Sequence, residues 1–135
     1  MKADFSWNAH CQAEVDLGAT IDTRLIATAR KIAKSRAYRS QHLDRDLLSD
    51  PVWDMLLELY SEQFSPRHST LTSLSAASGL PISTALRYIR TMEQRGLLQR
   101  MRDQHDARIV HVRLSDQALE KMRAILFREL SSKEP

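Results

Sequence analysis

The chain has 135 residues, 42% of them hydrophobic, and 20 Lys and Arg against 17 Asp and Glu leave a net charge of +3. That length suits one domain, long enough to bury roughly two thirds of its unfolded surface. A single cysteine excludes an internal disulfide, and three glycines with four prolines leave little room for a strand-rich fold, so the expected class is mainly α with a small β-hairpin.

Residues 1–19 are polar, with isolated Phe5 and Trp7, and lack the basic start and apolar run of a secretory signal. They read as a loosely ordered tail, and Cys11 beside His10 as a free thiol. No segment approaches membrane-spanning length, so the expected location is cytoplasmic, without a membrane partner. Residues 20–135 read as one domain. Its first helix, about 20–40, carries Ile21, Leu25, Ala29 and Ile32 at helical spacing, a narrow apolar stripe that needs something to pack against. Its cations, Arg24, Arg30, Lys31, Lys34, Arg36 and Arg39, precede an acidic block of Asp44, Asp46, Asp50, Asp54, Glu58 and Glu62. Solvated ion pairing of the two segments with each other, or with a partner chain, is favoured over a second strip for nucleic acid, which the acidic block would repel. Asp50-Pro51 opens a second helix, with Val52, Leu56, Leu59, Tyr60 and Phe64 as its buried stripe and Trp53 in the core.

From Thr70 to Leu114 come a helix, a glycine, a second helix, another glycine and a short basic hairpin. The first of these helices starts from a cap at Thr70 or Thr72 and runs through Leu71, Leu74 and Ala77; Gly79 then turns the chain, and Pro81 suits the next entrance. The second runs from about Ser83 to Arg95 and buries Ala85, Ile89 and Met92, with Tyr88 beside them. Its opposite face carries Ser83, Thr84, Arg87 and Arg90, short hydroxyls and long cations suited to phosphates and guanine edges. This is a helix-turn-helix candidate over about 70–96. A hairpin over about 97–114 follows, its strands Leu97–Arg102 and Arg108–Leu114 joined by Asp103-Gln104-His105-Asp106. Val110, Val112 and Leu114 alternate with Ile109, His111 and Arg113, so one side can lie on the helices. The tip carries Arg102 and Arg108, which could enter a minor groove. Between Ile82 and Arg113 seven arginines face Glu93, Asp103 and Asp106, a local excess of 7 − 3 = +4. A last helix, about 115–131, offers Leu119, Met122, Ile125, Leu126 and Leu130.

The run Ser83-Thr84-Ala85-Leu86-Arg87-Tyr88-Ile89-Arg90-Thr91-Met92-Glu93-Gln94-Arg95-Gly96-Leu97-Leu98-Gln99-Arg100 resembles, without a gap, the recognition helix and first wing strand of the multiple-antibiotic-resistance regulator (MarR) family of winged-helix transcription factors. Asp106-Ala107-Arg108 is similar to that family's Asp-Arg-Arg wing motif, and Leu114-Ser115 stands where its Leu-Thr opens the next helix. The likeness spans about Asp50 to Leu130. It implies a winged helix-turn-helix flanked by N- and C-terminal dimerisation helices, a homodimer on a pseudo-palindromic double-stranded DNA operator, and a small-molecule effector bound between those helices and the reading module. It further implies that Arg87 contacts bases or phosphates, Arg108 enters the minor groove, and Asp106 orients the wing by pairing with a nearby arginine. There are departures. Ser75 replaces the usual Ala and needs a partner for its hydroxyl, Pro81-Ile82 replaces Ser-Pro, Ala118 replaces a glycine, and only one helix follows the wing. Leu86 stands where a hydroxyl residue often faces DNA, and either reads a thymine methyl or is buried.

The candidate DNA-binding residues are therefore Thr72, Ser83, Thr84, Leu86, Arg87, Arg90, Arg100, Arg102, Asp106 and Arg108, and the candidate dimer contacts are Ile21, Leu25, Ile32, Ile125, Leu126 and Leu130. His10, His42, His68, His105 and His111 have no metal-ligand spacing, and no nucleophile elbow, phosphate loop or dinucleotide fingerprint occurs, so neither catalytic residues, a metal nor a cofactor is expected. The competing reading is a winged-helix interaction module without specific DNA binding, which has no need of cations at Arg87, Arg90 and Arg108.

Overall fold

The computed structural model describes residues 17–43, 48–66 and 68–132, with side chains from residue 20 onward. Cys11 and most of the expected tail lie outside the described residues, as do Asp44 and Asp46 of the acidic block.

The first helix, α1 (Leu17–His42), is longer than its apolar stripe and rests on α2 (Pro51–Ser61) and on the last helix, α5 (Asp116–Ser132). Asp50 caps α2, its carboxylate accepting the Trp53 N–H at 3.3 Å with Pro51 in the first turn. The buried residues of α2 are Met55, Leu57, Leu59, Tyr60 and Ser61, whereas Val52 and Leu56 are half-buried and Phe64 lies exposed beyond the helix end. The expected single stripe is thus corrected: α2 is covered on several sides, by α1, α3, β3 and α5. The charged blocks do meet, with Arg36 Nε 2.5 Å from Asp54 Oδ1 and Arg30 3.8 Å from Glu62. Arg123 of α5 pairs with Asp22 of α1.

Helix α3 (Leu71–Ser78) starts from a reciprocal cap in which the Ser73 N–H donates to Thr70 Oγ1 at 3.1 Å and the Thr70 N–H donates to Ser73 Oγ at 2.8 Å. The Ser75 hydroxyl, buried, donates to the Leu71 carbonyl at 2.7 Å. Gly79 closes the helix with φ 71°, and α4 (Ile82–Gln94) begins after Pro81. Ala85, Ile89 and Met92 face inward as their spacing predicts, but Tyr88 is 41% exposed and belongs to the outer flank. At the C-terminus of α4 the Leu97 N–H donates to Met92 O at 2.9 Å and the Gly96 N–H to Glu93 O at 3.0 Å, a Schellman closure with Gly96 at φ 74°. A Cβ at Gly96 would meet nothing within 4 Å, so only the backbone conformation opposes a side chain. Gly96→Ala should therefore cost about 1 kcal/mol of stability without disturbing the core, measurable by urea denaturation.

Strands β2 (Leu98–Arg102) and β3 (Val110–Leu114) form the expected antiparallel hairpin, in register from Leu98 opposite Leu114 to Arg102 opposite Val110. A two-residue strand, β1 (Ser69–Thr70), pairs with the other edge of β3 and gives the order β1-β3-β2. Val112 and Leu114 point into the core, and Ser115 ties the base of the wing to α5. Its hydroxyl donates to Gly96 O at 2.6 Å and accepts the Ala118 N–H at 3.1 Å, while its N–H donates to Leu97 O at 3.0 Å. The structure is thus mainly α, with five helices among the described residues and a small antiparallel sheet in a winged helix-turn-helix arrangement.

One core cluster joins residues of every helix to the sheet. Leu25 (1% exposed) and Leu126 (0%) lie inside it, enclosed by the chain's own packing. Ile21, Ile32 and Leu130 are half-buried against the same core, and Ile125 is 45% exposed.

Candidate nucleic-acid interface

Helix α4 turns Ser83, Arg87 and Arg90 outward because its buried line, Ala85-Ile89-Met92, fixes the roll of the helix. Among the described residues the side chains of Arg87 and Arg90 make no hydrogen bond or ion pair, while the Arg87 carbonyl accepts the Thr91 hydroxyl at 3.1 Å. Thr84 and Arg87, with Tyr88 and Thr91, line a shallow hollow of about 280 Å³ on one flank of the helix. On the other flank an open groove of about 340 Å³ separates α4 from the wing and brings together Thr72, Leu86 and Arg108. Three of the sequence-selected residues therefore share this groove and two share the hollow. Ile82 and Ile109, which the sequence reading did not select, also line the groove.

The wing is held by two carboxylates with different tasks. Asp103 Oδ2 accepts the N–H groups of His105 and Asp106, both at 2.9 Å, while Oδ1 lies 2.8 Å from His111 Nε2. The His111 bond, followed by the two backbone N–H bonds, holds the Asp103 carboxyl down at about 2. Asp106 grips Arg108, whose Nε and Nη2 donate to its two oxygens at 3.1 Å each while the Arg108 N–H donates to Oδ1 at 3.0 Å. This pairing lowers the Asp106 pKa and raises that of Arg108. The Arg108 side chain is nevertheless 91% exposed, so Asp106 aims the guanidinium without covering it. Arg102, at the end of β2, is also exposed.

Arg100 has a partner within the chain. Its Nε lies 2.9 Å from Glu93 Oε1, so the cation braces the wing against α4 and is partly neutralised there. The Asp103–His111 pair was not visible in the sequence, because it depends on the register that sets Met101 opposite His111. His68 completes this corner, its ring edge-on to His111 at 5.9 Å between centroids.

The Asp103 carboxyl has a definite acid signature. Its folded pKa of about 2 lies below the ordinary value near 3.9, so ionised Asp103 stabilises the wing fully above about pH 4. That contribution is lost as pH falls from about 4 through about 2. The His105 and Asp106 amide proton shifts should therefore titrate with a midpoint near 2, and Asp103→Asn should abolish the transition. A midpoint near 4 would contradict the hydrogen bonds described.

Among the described residues no three or more His, Cys, Asp or Glu stand together in a way that could hold a metal ion, and no helix is long and apolar enough to cross a membrane.

Residues 62–102 match the IclR helix-turn-helix domain family. The matched segment runs from the end of α2 through β2 and stops before the wing tip. No curated protein matches the sequence. Among solved structures, the chain is similar to S. aureus MepR in a DNA-binding conformation, with 20% identity over 76% of each chain and a TM-score of 0.53. It is also similar to the heme sensor protein PefR from Streptococcus agalactiae in complex with heme, with 16% identity over 76% of this chain and 70% of that one and a TM-score of 0.51. A protein from Archaeoglobus fulgidus gives 15% identity over 61% of this chain and 87% of its own, with a TM-score of 0.51. At these identities the likeness establishes the winged-helix fold.

Proposed function

We propose that this chain is a sequence-specific, double-stranded-DNA-binding transcription regulator of the MarR type, acting in the cytoplasm as a repressor. Residues 20–135 form its one winged-helix domain. The observation that carries this reading is the placement of Arg87 and Arg90 on the outward face of α4 with Arg108 projecting from the adjoining wing. Cations grouped on one outward surface give the local positive potential that a polyanion requires. In this reading α4 enters a major groove, with Ser83, Thr84 and Arg87 at base edges or phosphates, while Arg102 and Arg108 reach the flanking minor groove. Thr72 and Arg90 contact phosphates, and Arg100 positions the wing through Glu93.

The matched helix-turn-helix family and the similarity to MepR in its DNA-binding conformation support the same reading. Two copies would join through α1 and α5, with exposed Ile125 and half-buried Ile21, Ile32 and Leu130 as contacts, and read two half-sites about one helical turn apart. A cavity of about 350 Å³ between α1, α2 and the end of α3, lined by Arg36, Asp54, Glu58 and Ser78, supports an effector seat between the dimerisation helices and the reading module. Burial raises the Glu58 pKa, and the Glu62 charge adds to the rise.

The test is a binding titration against duplex DNA at several salt concentrations. Affinity should fall by about 0.9 log units per tenfold salt for each phosphate neutralised, so several contacts give a steep line. A flat salt dependence, or no binding, would favour the interaction-module reading. Light scattering at micromolar concentration should give a dimeric mass, and a monomeric mass would remove the two-half-site arrangement.

A further inference from the structure

The leading end of α4 carries an apolar edge that a phosphate-gripping surface does not require. Ile82, the first residue of the helix, is 61% exposed, and Leu86 follows one turn later on the same side. Across the groove of about 340 Å³ stands Ile109 of the wing, 37% exposed. No acidic residue lines the groove, Arg108 stands at its rim, and Arg87 and Arg90 project from the adjoining face of the helix. The Ser75 hydroxyl is already committed to Leu71 O, so the wall formed by Leu71, Ile82, Leu86, Ile109 and Val110 offers a ligand carbon surface, with Thr72 as the exposed hydroxyl at the groove.

We infer that Ile82 and Leu86 form a reader for the 5-methyl groups of thymines, with Ile109 as the far wall against the deoxyribose of the same strand. This rests on the DNA-binding reading above and adds to it the chemistry of the base edge. The cations surrounding the groove select a polyanion as its occupant, which an apolar protein segment is not. The N-terminal residues of a recognition helix are those that meet base edges, and the thymine methyl is the apolar group a major groove presents. Two branched side chains one turn apart span adjacent positions on one strand, so the preferred site should hold a thymine, or two in succession, beside the position read by Arg87.

The experiment uses the full chain and a duplex recovered by selection from random sequence, remade with each thymine replaced in turn by deoxyuridine, which removes the methyl and keeps the pairing. Binding should weaken about four-fold for each contacted thymine, the effect of exposing one methyl group, and remain unchanged at the others. Ile82→Ser changes an exposed residue and should bind the thymine and uracil duplexes equally well while keeping the salt dependence. Leu86 is half-buried against the core, so the shorter apolar Leu86→Ala, with folding checked by circular dichroism, should do the same for the neighbouring position. Equal affinity of the unaltered protein for all uracil duplexes would overturn the methyl reader and leave DNA binding standing. Failure to recover any duplex would overturn both.

Discussion

Arg108→Ala should weaken binding to the selected duplex by about 1–3 kcal/mol, roughly 5- to 150-fold, with no loss of folding stability. The guanidinium is 91% exposed and, among the described residues, its hydrogen bonds go to Asp106, so its removal opens no cavity. In the proposed complex, an arginine held bidentately at the tip of a narrow hairpin is already oriented when it meets the negative potential of a minor groove. Asp106→Ala keeps the Arg108 cation, frees its side chain and removes a negative charge from the tip, and should cost less than Arg108→Ala. Arg87→Ala belongs in the same range as Arg108→Ala. If Arg87 reads a base edge, the loss falls on the cognate duplex alone, whereas a phosphate contact weakens all duplexes alike and reduces the salt slope by about one. Arg100→Ala should have a smaller effect on affinity, because that cation is spent on Glu93. Fluorescence anisotropy titrations at fixed salt decide each of these, and an Arg108→Ala protein with unchanged affinity would remove the wing from the interface.

Leu126→Ala should destabilise the chain by about 2–5 kcal/mol at every protein concentration, while its neighbour Ile125→Ala should leave single-chain stability nearly unchanged. Leu126 is wholly enclosed in the cluster that contains Leu25, Ala29, Met122 and Tyr60, so truncation leaves a cavity that the neighbouring helices can only partly close. Ile125 is 45% exposed, and Phe127 beside it 52%. An apolar pair left open at the end of the chain's own packing suits a contact between copies. Ile125→Ala should therefore show itself in the dimer equilibrium, as a higher concentration at which sedimentation reports monomers. Denaturation of both variants at two protein concentrations separates the effects. Equal destabilisation by the two substitutions would contradict the division of α5 into an inner and an outer face.

The reading module was legible in the sequence because its signals are local. Gly79 and Gly96 stand at positive φ where two helices end, Thr70 caps α3, and the spacing Ala85-Ile89-Met92 sets which side of α4 faces out. Other features depend on contacts distant in sequence. Strand β1 is two residues long and exists because Ser69 and Thr70 find Val112 and His111 more than forty positions later. The partners of Asp103 and Arg100 depend on hairpin register and on the approach of β2 to α4. Helix α2 defeats stripe reading altogether, since a helix covered on several sides has no single apolar line. Tyr88 fits the helical period but falls on the flank past the buried line, and the same geometry on the other flank makes Ile82 and Leu86 neighbours.

The most direct test of the central claim is a selection from random duplexes with the unaltered protein, carried through successive rounds and sequenced. DNA binding by α4 and the wing of two copies predicts enrichment of one pseudo-palindrome with half-site centres about one helical turn apart, lost when Arg87 and Arg108 are both replaced by alanine. Enrichment of no sequence, or of the same sequences by the double variant, would contradict it.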